Sequence, residues 1–131
     1  MKYIYIDGGC RNNQNAAKRE AYGSFLITED EYPNHEKSKV LVKRMEFGNL
    51  TNNAAEYKTL HEVLKHCINE FIAKPVIFTD SLLVTNQLNG TYKVKDPNLR
   101  KLNDLVKMDL ALIGAELRKV PRDILVGVLG H

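Results

Sequence analysis

The chain has 131 residues, of which 44% are hydrophobic and 27% charged, a size and balance that fit one globular domain with a core of its own. Nineteen Lys and Arg against sixteen Asp and Glu leave a net charge of +3, which admits an anionic partner without requiring one. Two cysteines, Cys10 and Cys67, lie far apart with no CxxC or His/Cys cluster, which argues against a disulfide framework or a zinc site. Met1 leads straight into KYIYI, and the apolar runs are short. Secretion and membrane spanning are therefore not expected, and the expected location is cytoplasmic.

Residues 2–6 (KYIYI) are aromatic and β-branched and end at Asp7-Gly8-Gly9, so a strand followed by a turn is predicted there. Further strands are predicted at about 21–28 and 40–47, and the short connections suit an antiparallel meander. After Thr51 the period changes to that of a helix. Leu60, Val63, Leu64, Cys67, Ile68 and Phe71 mark an amphipathic helix over about 52–71, with Thr51 as its cap. Pro75 precedes VIFT (76–79), a short buried strand, and Asp80-Ser81 leads into a second helix over about 81–88 that Asn89-Gly90 ends. A third helix is predicted over 97–113, with Asp96 as cap, Pro97 at its first position and Gly114 as its stop. A last strand is predicted within 115–120, and the order implies an α/β fold with a mixed sheet in a single domain, 1–131. The apolar tail ILVGVLG (124–130) is expected as a strand or arm packed on its own chain or on a second copy, which makes a homodimer through the tail an expectation.

Three carboxylates fall on the wrong side of the polar pattern. Glu56 extends the apolar stripe of the first helix by one turn, while Asp7 and Asp80 follow the first and fourth strands. If those strands are parallel neighbours, both aspartates emerge at one sheet end, the end where α/β sheets bind ligands. Taken singly, Asp7 is equally a turn former, Asp80-Ser81 a helix cap and Glu56 a dipole-stabilising first-turn acid. Taken together they would repel unless a cation neutralised them. All-oxygen ligation favours Mg²⁺ or Mn²⁺, and two such ions about 4 Å apart can clamp a phosphodiester.

YIDGG (5–9), TNNAAEY (51–57) and FTDS (78–81), in this order and spacing, resemble the signature blocks of type 1 ribonuclease H, and VPR (120–122) resembles its closing segment. The resemblance implies a ribonuclease H-like fold: a mixed five-stranded sheet, three antiparallel strands then parallel ones, with helices on both faces. It also implies hydrolysis of the RNA strand of RNA/DNA hybrids to 5′-phosphate and 3′-hydroxyl ends. By the same resemblance Asp7, Glu56 and Asp80 are the metal-binding acids, and two Mg²⁺ ions the expected cofactor, with Mn²⁺ as the substitute. Thr51, Asn52 and Asn53 match the segment that contacts the hybrid, and their short polar side chains at a helix N-terminus suit phosphates and 2′-hydroxyls. Gly8 and Gly9 would let backbone approach the RNA. Cys10, Asn13 and Ser81 join the candidate substrate contacts, as do Lys93 and Lys95 in a basic stretch with Arg100, Lys101 and Lys107.

The pattern breaks at the end. The family's fourth acid would fall near position 129, which is Leu here, and no Asp follows Asp123. The candidates for the fourth position are Asp123, which needs the loop to fold back, and His131, which can carry a proton near neutral pH. The alternative to an enzyme is a catalytically weak module that binds RNA/DNA hybrid or double-stranded RNA on the same scaffold. Other nucleases share such carboxylate clusters, but TNNAAEY argues against them.

Overall fold

A computed structural model describes residues 1–31, 33 and 40–130. Three strands come first, β1 (Tyr3–Arg11), β2 (Glu20–Thr28) and β3 (Val40–Gly48), followed by the long helix α1 (Asn52–Asn69). The chain continues through β4 (Val76–Thr79), α2 (Leu82–Leu88), α3 (Pro97–Ile113), β5 (Glu116–Lys119) and α4 (Arg122–Leu129). The five strands form one sheet in the order β3-β2-β1-β4-β5. β1 pairs antiparallel with β2 and parallel with β4, β2 pairs antiparallel with β3, and β4 pairs parallel with β5. The mixed sheet and the parallel pairing of the first and fourth strands are as the sequence implies.

The helix ends follow from local chemistry. Thr51 caps α1 by accepting from the Ala54 N–H, and Asp96 caps α3 by accepting from the N–H groups of Asn98 and Leu99, with Pro97 in the first turn. Gly114 closes α3 in the left-handed region at φ 67°. Successive strand residues point to opposite faces, so β1 serves two cores. Ile4 and Ile6 pack against Tyr57, Leu60 and Leu64 of α1 and Val106 of α3. Tyr5 faces the other way and joins Leu26, Val76 and Phe78.

Two expectations are corrected. β1 does not turn at Asp7-Gly8-Gly9 but continues to Arg11, because β2 stays paired with it as far as Arg11 opposite Glu20. The tail is a helix, not a strand or an extended arm. Leu125, Val128 and Leu129 of α4 lie on one side and cover the face formed by Tyr5, Leu26, Val76 and Phe78, while Val126 is turned outward at 38% exposure. Leu125, Val128 and Leu129 of the tail are thus covered by their own chain. In α3 Asn103 is buried while Leu105 is exposed. Among the described residues no helix is long and apolar enough to cross a membrane.

Candidate active site

The three acids meet in one open cleft of about 350 Å³ at the sheet end, lined by Asp7, Glu56, Asp80, Asn52, Asn53 and Arg122 among others. The parallel pairing of β1 with β4 runs from Tyr3 opposite Val76 to Tyr5 opposite Phe78. Beyond it β1 goes on while β4 ends at Thr79 and the backbone turns out of the sheet at Asp80. Asp7 and Asp80 therefore flank the same gap, as the sequence pattern implied. Glu56 comes from the first turns of α1, on the opposite face of β1 from Asp7.

Glu56 reaches the gap because Gly8 lets α1 approach the strand. A Cβ at Gly8 would lie 2.6 Å from Glu56 Cα and 2.7 Å from the Ala55 carbonyl oxygen, inside any tolerable contact. With no side chain in the way, the Gly8 N–H donates to Glu56 Oε2 at 2.6 Å, and the Thr79 hydroxyl donates to Oε1 at 2.6 Å. Thr79 Oγ1 also accepts from the Ser81 N–H, which fixes the turn that carries Asp80. Gly9 makes room for the Tyr22 ring, whose oxygen would lie 2.4 Å from a Cβ there. At position 8 the close neighbour is helix backbone, whereas at position 9 it is the outer end of a side chain.

Burial pushes the Glu56 carboxyl up to about 8; the nearby Asp7 and Asp80 charges push the same way, against the lowering effect of the bonds from Thr79 and Gly8. The cleft disfavours a third negative charge unless a cation enters. One cation is already present. Arg122 Nη1, from the first residue of α4, donates to Asp7 Oδ1 at 2.9 Å and to Asp80 Oδ2 at 3.2 Å. Partial burial opposes the guanidinium's charge, but the two carboxylates outweigh it and hold its pKa above the ordinary value.

The other candidates fall in several places. Asn52 and Asn53 are exposed in the cleft wall, at the N-terminus of α1. Asn13 supports that wall, its Oδ1 accepting from the Asn52 N–H at 2.9 Å, and the Thr51 hydroxyl accepts from the Ala54 N–H as the helix cap. Ser81 lines the cleft and caps α2 by accepting from the Val84 N–H. Cys10 lies on β1 with its thiol donating to the Arg11 carbonyl, outside the residues that line the cleft. Lys93 and Lys95 are exposed in a separate cleft with Tyr92, Arg100 and Lys107, whose floor includes Gln87 and Asn103. Those two floor residues are pinned by the buried Tyr57, whose hydroxyl donates to Gln87 Oε1 and accepts from Asn103 Nδ2.

Asp123 lies in the first turn of α4, exposed, with Oδ1 accepting from the Ile124 N–H, and does not line the acid cleft. His131 lies outside the described residues. Arg122 and Thr79 are not among the candidate site residues of the sequence pattern, yet they bond the three acids. The signal was present in VPR, but nothing local says that an arginine after a proline turns back onto two aspartates.

The donors fit a hard divalent cation: all are carboxylate oxygens, and a guanidinium already occupies the space between two of them as a positive stand-in. Among the described residues no three such side chains are gathered into a ready ligand set. Asp7 and Asp80 are drawn together on Arg122, and both Glu56 oxygens are engaged by Thr79 and Gly8.

The fold and the site together define an α/β domain of ribonuclease H-like architecture with a carboxylate cluster at the end of its parallel strands. The RNase H family model matches residues 1–124, and the chain belongs to that family. The bifunctional protein Rv2228c of Mycobacterium tuberculosis is 36% identical over 100 residues, which make up 76% of this chain and 25% of that protein. The chain spans about a quarter of the length of the curated relatives it matches. RNase H1 from the halophilic archaeon Halobacterium salinarum NRC-1 superposes with a TM-score of 0.81 at 23% identity, covering 97% of this chain and 90% of that one. LC11-RNase H1, isolated from compost and solved in complex with RNA/DNA hybrid, gives 0.75 at 24% identity, covering 94% and 87%. At these identities the two structures establish the shared fold.

Proposed function

We propose that the chain is a divalent-metal-dependent endoribonuclease that hydrolyses the RNA strand of RNA/DNA hybrids, leaving 5′-phosphate and 3′-hydroxyl ends. The observation that carries this reading is the convergence of Asp7, Glu56 and Asp80 in one cleft whose wall is the N-terminus of α1 with Asn52 and Asn53 exposed on it. Family membership and the hybrid held by LC11-RNase H1 support the choice of substrate.

Asp7, Glu56 and Asp80 would hold Mg²⁺, or Mn²⁺ in its place. When bound, such ions supply the Lewis acidity that phosphodiester hydrolysis needs. The chain's own residues do the rest. Asn52 and Asn53 offer amide donors to phosphate and 2′-hydroxyl groups, at a helix end whose dipole favours anions. Asn13 and Thr51 keep that end rigid through their bonds to the Asn52 and Ala54 N–H groups. Lys93 and Lys95, with Arg100 and Lys107, present a second phosphate-binding surface.

A second reading, a hybrid or double-stranded RNA binding module with weak catalysis, draws on Arg122 occupying the space between two acids and on Asp123 lying outside the cleft. A cleavage assay on hybrid with Mg²⁺ and with Mn²⁺ separates the two. The wild type should cleave, and Asp7→Asn, Glu56→Gln and Asp80→Asn should each lose 100-fold or more, about 2.7 kcal/mol of barrier. Binding of hybrid without cleavage under either metal would leave the binding module standing. Asp123→Asn and His131→Ala in the same assay assign or dismiss a fourth residue.

A further inference from the structure

We infer that Arg122 is a built-in counter-ion of the acid cleft: its guanidinium competes with a divalent cation for Asp7 and Asp80, and the cation binds by displacing it. The inference deepens the metal-dependent function proposed above and rests on it.

The geometry supplies the competition. A single nitrogen, Nη1, bridges Asp7 Oδ1 and Asp80 Oδ2 at 2.9 and 3.2 Å, so a cation shared by these carboxylates must enter the space that the guanidinium fills. The Asp7 side chain is 6% exposed, which leaves little room for a second approach from solvent. Arginine does not deprotonate in a protein, so the guanidinium cannot yield by losing its charge. It must move, because a positive group left beside a divalent ion in a partly buried cleft is repelled.

The means to move is also present. The Arg122 side chain is 52% exposed, at the first residue of α4. The helix itself is held by the buried Leu125, Val128 and Leu129 and not by the ion pair alone, so the side chain can swing to solvent while the backbone stays docked. Glu56 is not part of the contest, because the guanidinium bridges Asp7 and Asp80 and leaves Glu56 to Thr79 and Gly8. Apparent cation affinity is then reduced by the small fraction of molecules in which Arg122 has let go.

The test is Mn²⁺ binding to the full chain without nucleic acid, read from the electron paramagnetic resonance of free Mn²⁺. Arg122→Gln should bind about tenfold more tightly than wild type or better, with Arg122→Lys in between, and Asp7→Asn should bind least. Equal or weaker binding by Arg122→Gln overturns the inference. A measurement on the unaltered protein guards against a misfolded variant. Titrating Mg²⁺ while following the arginine side-chain resonances by nuclear magnetic resonance should shift Arg122 from a protected to a solvent-exchanging signal. An Arg122 signal that stays put as the ion saturates the protein also overturns it.

The outcomes separate the two claims. Metal-dependent cleavage by wild type, with Arg122→Gln unchanged in affinity, defeats the inference and leaves the proposed function intact. Tighter binding by Arg122→Gln without cleavage by wild type does the reverse. No Mn²⁺ binding by either protein at millimolar concentration defeats both.

Discussion

Glu56→Gln gives the sharpest test of how the site is built, because the residue is 4% exposed and burial pushes its carboxyl pKa from 4.5 up to about 8. Between these values the folded protein keeps a proton that the unfolded chain has released. The ion-free protein therefore loses stability as pH rises through that window, and keeps its full contribution below 4.5. At about 1.4 kcal/mol per pH unit, the shift amounts to on the order of 5 kcal/mol by pH 9. Glutamine abolishes the titration but not the shape. Its oxygen must face the Gly8 N–H and its amide nitrogen the Thr79 hydroxyl, which then accepts where it had donated; that change costs about 1 kcal/mol. Urea unfolding in EDTA from pH 4 to pH 9 should find the variant slightly less stable at the acid end and several kcal/mol more stable at the alkaline end. Titrating groups remote from the cleft cancel in the difference. Added Mg²⁺ should raise wild type at pH 8 far more than the variant, since it favours the carboxylate that glutamine lacks. A stability difference that does not change with pH would refute the reasoning.

Gly8→Ala should destabilise the fold by about 2 kcal/mol or more, seen as a fall in melting temperature, because the new methyl meets the α1 backbone and not a movable side chain. Cleavage should fall further than stability explains, since Glu56 is pushed away from the gap. Leu125→Ala should cost about 2–5 kcal/mol in urea unfolding, the usual range for emptying a fully buried leucine site. A loss below about 1 kcal/mol would mean that α4 is not docked as described. Lys93→Ala and Lys95→Ala should weaken hybrid binding equally for all sequences, each lowering the slope of log affinity against log salt by about one. An unchanged slope would remove the second cleft from the binding surface.

Much of this architecture is legible in the residues because local chemistry and burial agree. Asp96-Pro97 and Gly114 bound α3 at both ends, and Thr51 caps α1, as read from the sequence. VIFT is buried at every position and is strand from Val76 to Thr79. What was not legible depends on partners distant in the chain. Asp7-Gly8-Gly9 has the composition of a turn, yet pairing with β2 holds it extended, and α1 and Tyr22 fill the space that the glycines leave. Ile124, Val126 and Val128 are β-branched and read as strand, but the apolar face of the sheet needs a cover. The spacing of Leu125, Val128 and Leu129 supplies one as a helix, so tertiary packing overrides local preference. In the site, the three acids were visible as carboxyls at core-facing or strand-end positions. Arg122 and Thr79 were not, because their roles exist only once β4 and α4 have brought them beside Asp7 and Glu56.

The acid cluster has a geometric cause that composition does not contain. A paired strand shows its alternate residues to two separate layers, so Asp7 and Gly8 point to opposite faces of the sheet. Side chains on those faces cannot normally meet. They do so here because β1 outruns its parallel partner, whose pairing stops at Phe78 opposite Tyr5. Past that point the α4 side delivers Arg122 to Asp7, and the α1 side delivers Glu56 to the Gly8 N–H. Asp80 enters the same gap on the turn that leaves Thr79. A cation held there would draw on groups from both layers. The same alternation explains why the α4 layer supplies the positive charge. Tyr5 and Asp7 share that face, so the helix that covers the first brings its own first residue onto the second.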